Sequence, residues 1–231
     1  MGTEGEGGDP LTDLTPVRIV VADGRPLYRR GLAALLAAQP GWVVVAKEDT
    51  GPAVVAAVRD TEPDVAVLDL DLPVLDGIEA AREIAAENPG TGVLVLAWRD
   101  DEDGFLALRA GARGFLPKGA EDSDIVRATA AVARGEAVLA GSSARRAVEF
   151  IRSTPTVGLT ARESEVLELV AAGWTTADIS KVLVLTPEGV GRHVSGIVAA
   201  LQRAEPGIPQ RKAPVVRLRH PAGRRRRDRR R

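Results

Sequence analysis

Three side chains in the first half of the chain could share phosphoryl chemistry. Asp23 follows the apolar run VRIVVA at 17–22, Asp69 closes the run DVAVLD at 64–69, and Lys118 follows RGFLP at 113–117. A carboxylate accepts a phosphoryl group when Mg²⁺ screens the repulsion between donor and acceptor, and a lysine then holds the phosphoryl oxygens. Asp69 is the expected acceptor. The plain alternative is that Asp23 and Asp69 only cap turns and that Lys118 is solvated. All three at strand ends make a stronger case than any one alone.

A second set of residues could touch nucleic acid. Thr160 with Glu163, and Thr175 with Asp178, have the spacing of helix N-terminal caps. Thr186 caps a third helix with Pro187 at its first position, and Val190, Val194, Ile197 and Leu201 form its apolar stripe. Two short helices joined by a tight turn, the second amphipathic, have the shape of a major-groove reader. On the outward side of that helix stand Glu188, Gly189, Gly191, Arg192, Ser195 and Ala199. Arg192 and Ser195 are candidates for phosphate or base-edge contacts, and His193 for a phosphate, with partial burial as its competing role. Glycines at 189, 191 and 196 each cost roughly 1 kcal/mol of helix propensity relative to alanine.

The elements that must position these groups alternate. Apolar runs at 17–22, 42–47, 64–69, 92–97 and 113–117 are separated by helical stretches Pro26–Ala38, Pro52–Asp60, Gly77–Glu87, Asp103–Ala110 and Glu121–Arg134. Near-continuous apolar strands between helices predict a doubly wound five-stranded parallel sheet, with ligands at the carboxyl ends of its strands. The expected layout is a leader at 1–16, an α/β domain at 17–134, a linker at 135–157 holding a short helix at Ser142–Ile151, an all-α helix-turn-helix domain at 158–204, and a basic tail at 205–231.

These residues carry a resemblance. The segments VVADGRPLYRRGL, PDVAVLDLDLPVLDGIEA, VLVLAW and LRAGARGFLPK resemble response-regulator receivers, which have a flavodoxin-like fold. LTARESEVLELVAAGWTTADISKVLVLTPEGVGRHV resembles the LuxR-type helix-turn-helix of the NarL/FixJ family. Together they span about Val17 to Leu201. The resemblance implies Asp69 as phosphoacceptor, Lys118 as the phosphate-binding lysine, Phe115 as the aromatic switch and Asp23 as a metal ligand. It implies double-stranded DNA as target, a sensor histidine kinase or a regulatory ligand as input, and a homodimer as a compatible state.

The chain departs from the family at three positions. Gly24 stands where the second acid belongs, Ala97 where the switching hydroxyl belongs, and Gly191 where a DNA-contacting lysine is common. Only Asp23 and Asp69, with the Asp71 main-chain carbonyl, then remain as Mg²⁺ ligands, so Mg²⁺ binding is expected to be weak and completed by water. Without a hydroxyl at 97, half-buried packing is the favoured reading of Phe115. A receiver controlled independently of aspartyl phosphorylation is expected, with a conventional two-component regulator as the alternative. A remote alternative reads Asp69-Leu70-Asp71 as the D-x-D pair of a haloacid-dehalogenase phosphotransferase, but that pair ends the third strand instead of the first.

Composition narrows the classes further. The absence of cysteine excludes disulfides and thiolate chemistry. No apolar run approaches a membrane span and the leader is acidic, so neither a signal peptide nor an anchor is expected, and the location is cytoplasmic. Residues 211–231 hold eleven Lys and Arg against one acid, so a formal net charge of −1 for the whole chain leaves the first 210 residues at about −11. The helix-turn-helix stretch itself holds four basic against five acidic residues. Phosphate attraction is therefore expected from the tail, beginning with Arg211 and Lys212, unless that tail is only solvated.

Overall fold

The structure is a computed structural model that describes residues 15–98, 102–139, 141–154 and 157–204. Five strands, β1 (Val17–Ala22), β2 (Trp42–Glu48), β3 (Val65–Asp69), β4 (Gly92–Ala97) and β5 (Gly114–Pro117), form one sheet in the order β2-β1-β3-β4-β5. Every pairing is parallel, as short β-branched runs covered on both faces require. The helices between them are α1 (Pro26–Ala37), α2 (Gly51–Thr61), α3 (Gly77–Glu87), α4 (Glu102–Arg109) and α5 (Asp122–Ala133). Their ends lie within two residues of the expected ones.

Alternation along β3 shows how both faces are filled. Ala66 and Leu68 face a cluster built with Val54 and Val58 of α2, Ile78 and Ile84 of α3, and Leu106 and Ala107 of α4. Val65 and Val67 face the opposite cluster, with Leu32 and Leu36 of α1 and Ile125 and Val132 of α5. Local chemistry sets where the helices start. Pro26 and Pro52 sit in the first turns of α1 and α2, and the Asp76 carboxylate caps α3 by accepting from the Ile78 and Glu79 amides. Gly77 is required there, because a Cβ would lie 2.3 Å from the Asp69 carbonyl oxygen.

Four helices follow: α6 (Gly141–Ser153), α7 (Ala161–Ala171), α8 (Thr176–Leu183) and α9 (Pro187–Arg203). Thr160 and Glu163 form the reciprocal capping box at α7, Thr175 caps α8, and Thr186 accepts from the Gly189 amide at 3.0 Å. Val166, Leu167, Ile179, Val190, Val194, Ile197 and Leu201 close the core of this all-α part. The expected short helix in the 135–157 stretch is α6, one residue longer at its start and two at its end. It gives Ala144 and Ala147 to the same core. Despite its three glycines, α9 runs unbroken for 17 residues. At Gly196 a Cβ would fall 2.1 Å from a Glu163 carboxylate oxygen, so a larger residue there would have to turn that side chain aside.

Candidate functional site

The acidic pocket forms where the register brings strand ends together. Ala22 pairs with Leu68 and Asp69 with Leu96, so Asp23 and Asp69 emerge side by side at the carboxyl edge of β1 and β3. Lys118, whose amide donates to the Ala97 carbonyl, enters from the end of β5. Its ammonium donates to the Asp23 Oδ2 carboxylate oxygen and lies 2.9 Å from Asp69 Oδ1. The Asp23 and Asp69 side chains are 1 % and 2 % exposed and that of Lys118 is fully covered, so the three form an internal ion triad. Lys118 is thus a buried partner of both acids, which removes the solvated reading.

Backbone amides take up further carboxylate capacity. Asp23 Oδ1 accepts from the Arg25 amide at 2.7 Å, and Asp69 Oδ1 accepts from the Asp71 amide at 3.1 Å. Burial pushes the Asp69 carboxyl above the ordinary carboxylate range, against the opposing hydrogen bond and charge of Lys118. Asp71 is exposed, and its amide donates to Asp69 Oδ1. Gly24 packs under Pro73, whose ring atoms would lie 3.2 and 3.4 Å from a Cβ at that position.

Two aromatic rings missing from the sequence-level set cover the triad. The Lys118 ammonium stands 4.4 Å from the Tyr28 ring centroid and 5.7 Å from that of Trp98. These rings meet edge to face with centroids 5.8 Å apart, and the Arg25 guanidinium lies 5.5 Å from the Trp98 centroid. Both could have been found by extending the strand-end rule one residue past β4, to Trp98, and one turn into α1, to Tyr28.

Phe115 is fully buried, which corrects the half-buried expectation: its ring lies in the core cluster that also holds the equally buried Ala97 and the apolar side chains of α4. It packs under Gly104 of α4, where a Cβ would lie 2.6 Å from both the Phe115 ring and the Ser143 hydroxyl of α6.

The second candidate surface is α9. Thr186 is spent as its cap, Glu188 and Arg192 are exposed, and His193 is half-buried. The Glu188 carboxyl is held below its ordinary range by its own backbone amide, the Thr186 hydroxyl and the Arg192 charge. Gly189 is buried instead of outward. Ser195 is half-buried, its hydroxyl accepting from the Ala137 amide and donating to the Gly191 carbonyl, both at 3.0 Å. Gly191 itself faces the Glu136 carboxylate. Arg211 and Lys212 lie outside the described residues.

Sequence reading also missed the clasp between the two halves. Gln202 of α9 donates to the Leu108 and Ala112 carbonyls at 3.0 and 3.1 Å, and Arg109 of α4 donates to the Ala204 carbonyl at 3.3 Å. Each helix thereby satisfies carbonyls at the other's carboxyl end. Phe105 of α4 joins the helical core and packs 5.3 Å from Phe150, over which Arg109 also lies at 4.5 Å. No periodicity within one element could have announced these pairs.

Comparison with known proteins bears on both surfaces. The response regulator receiver domain model matches residues 19–130, and the model of bacterial regulatory proteins of the luxR family matches 157–203. The chain is similar to the transcriptional regulatory protein LiaR of Bacillus subtilis, 32 % identical over 191 residues, covering 80 % of this chain and 90 % of that protein. It is 34 % identical over 204 residues to the probable transcriptional regulatory protein NarL of Mycobacterium tuberculosis, covering 87 % and 92 %. The solved signal receiver domain of M. tuberculosis NarL superposes with a TM-score of 0.51 at 34 % identity, covering 53 % of this chain and 99 % of that one.

Proposed function

Because the chain belongs to the NarL/FixJ-type response regulators, which join a receiver to a LuxR-type helix-turn-helix, we propose that this DNA-binding regulator is controlled without aspartyl phosphorylation of its receiver. It is not an enzyme, and its relatives are transcriptional regulators. The single observation that carries the proposal is the triad. Lys118 already engages both carboxylates, and three of their four oxygens have partners. With glycine at 24 and alanine at 97, the second acid and the reporting hydroxyl are both missing.

Among the described residues no group of three His, Cys, Asp or Glu side chains could hold a metal ion. Mg²⁺ demands near-octahedral oxygen ligation and gives up water reluctantly. With Lys118 lodged between Asp23 and Asp69, these residues do not fit it, and the regulatory reading uses no step through the metal. The observation favouring the conventional reading is that acceptor and lysine do converge. Labelling of Asp69 by a small phosphodonor in Mg²⁺ would establish that reading.

For the output, Arg192 is an exposed cation in the first half of α9, with Thr186, Glu188 and His193 beside it. Ser195 and Gly191 face Ala137 and Glu136, so major-groove reading requires this face to part from residues 136–137. The tail, led by Arg211 and Lys212, supplies the phosphate contacts that the acidic helical module lacks. Among the described residues no helix is long and apolar enough to cross a membrane, and we place the protein in the cytoplasm with its duplex target.

Duplex binding as a function of salt, for the full chain and for one ending near Glu205, tests this division. Removing the tail should flatten the salt dependence while leaving sequence preference intact. Loss of preference with the tail would place recognition in the tail and contradict its assignment to α9.

A further inference from the structure

We propose that the receiver pocket is a cation box whose resident ion is the ammonium of Lys118, lodged between the two carboxylates where a divalent metal would have to sit and roofed by Tyr28 and Trp98. This rests on the phosphorylation-independent reading and gives it a structural cause.

The floor is anionic. Asp23 and Asp69 bring two buried carboxylates to one point, and the Lys118 ammonium contacts both. A pair of like charges at 1 % and 2 % exposure is strongly unfavourable unless a cation joins it. The roof is aromatic, with ring centroids 4.4 and 5.7 Å from the ammonium, inside the range of about 6 Å over which an aromatic quadrupole attracts a cation. Carboxylates below and aromatic faces above suit an alkylammonium, which gives up water more readily than Mg²⁺ and meets no demand for six oxygens.

Tethering gives Lys118 a further advantage. An ion attached to the end of β5 loses no translational freedom on entering the site, whereas a free metal does. A divalent cation must also displace the ammonium, which would leave a buried lysine without its two acids. The pocket is therefore satisfied by the chain itself, and the lysine that elsewhere would await phosphoryl oxygens is committed to the ground state. The Trp98 ring, 54 % exposed on its outer side, reports from the boundary between box and solvent.

Three tryptophans are present, so Trp42→Phe with Trp174→Phe leaves Trp98 as the single indole reporter in the full chain. In that background, millimolar Mg²⁺ should change neither the Trp98 emission nor the unfolding temperature while Lys118 is present. Lys118→Ala removes three methylenes and the ammonium. It should unfold at lower temperature, and n-propylammonium should raise that temperature in a saturable manner and shift Trp98 emission. Lys118→Met keeps the bulk and removes the charge, and should gain Mg²⁺ binding tighter than the parent by about tenfold or more.

Submillimolar Mg²⁺ binding to the parent would overturn the box. Indifference of Lys118→Ala to n-propylammonium would overturn it too. Should that variant not fold, Lys118→Met decides: Mg²⁺ affinity no higher than the parent's contradicts a resident cation. Duplex binding enters none of these readouts, so the box and the regulatory reading fail separately.

Discussion

Tyr28 is the only tyrosine in the chain, so its phenol can be titrated without interference from another. Burial first, then the charges of Asp23, Asp69 and Asp122, push its pKa up to about 12. A phenol that ionises near 10 when unfolded and near 12 when folded stabilises the protein while neutral in both states. That contribution is lost as pH rises from about 10 through about 12. Ultraviolet titration should therefore place the phenolate midpoint near 12 in the folded chain and near 10 in urea, whereas a midpoint near 10 in both would contradict the roofed triad. At this scale the acids were legible because type and strand-end position together pointed to chemistry. Lys118 was legible as a member of the set but not as a salt-bridge partner of both carboxylates, since that depends on β5 standing beside β4 at the sheet edge. The roof was hidden because aromatic residues carry no motif spacing of their own.

At the scale of elements, α4 is the joint of the molecule. Its Gly104 lets the Phe115 ring below and the Ser143 hydroxyl of α6 above approach the same backbone atom. Gly104→Ala places a methyl group 2.6 Å from each, so α4 must move or the ring must leave its pocket. Overpacking of this kind costs about 1–3 kcal/mol, more than the roughly 1 kcal/mol gained in helix propensity. A lowered unfolding temperature is expected, and a variant as stable as the parent would mean the contact is not tight. The helices themselves were legible from caps, because Thr160 with Glu163, Thr175 and Thr186 act locally. That α6 packs with α7 and α4 was not, because the packing of its small residues Ala144 and Ala147 is decided by distant partners. The three glycines of α9 looked like weakness, yet Gly196 lies against the Glu163 side chain that caps α7.

At the scale of the whole molecule, α9 offers one stripe, Gly191, Ser195, Val198 and Gln202, to the receiver side. Ser195 and Gln202 are fastened there by hydrogen bonds, and Val198 is buried. Gln202→Ala deletes two of those bonds, together worth about 1–3 kcal/mol, or about 5- to 150-fold in a closed–open equilibrium. If opening precedes DNA binding, duplex affinity should rise by up to that factor, and unchanged affinity in a folded variant would show that the clasp does not oppose binding. Charge segregation was plain in the sequence, while the clasp depends on pairs some ninety residues apart, such as Gln202 with Leu108 and Arg109 with Ala204. The most direct test of a regulator that works without phosphoryl transfer is duplex affinity for the parent chain and Asp69→Ala in Mg²⁺ at one fixed ionic strength, each with and without acetyl phosphate. One affinity across all four conditions is expected. Tightening by the phosphodonor in the parent but not in Asp69→Ala would contradict it.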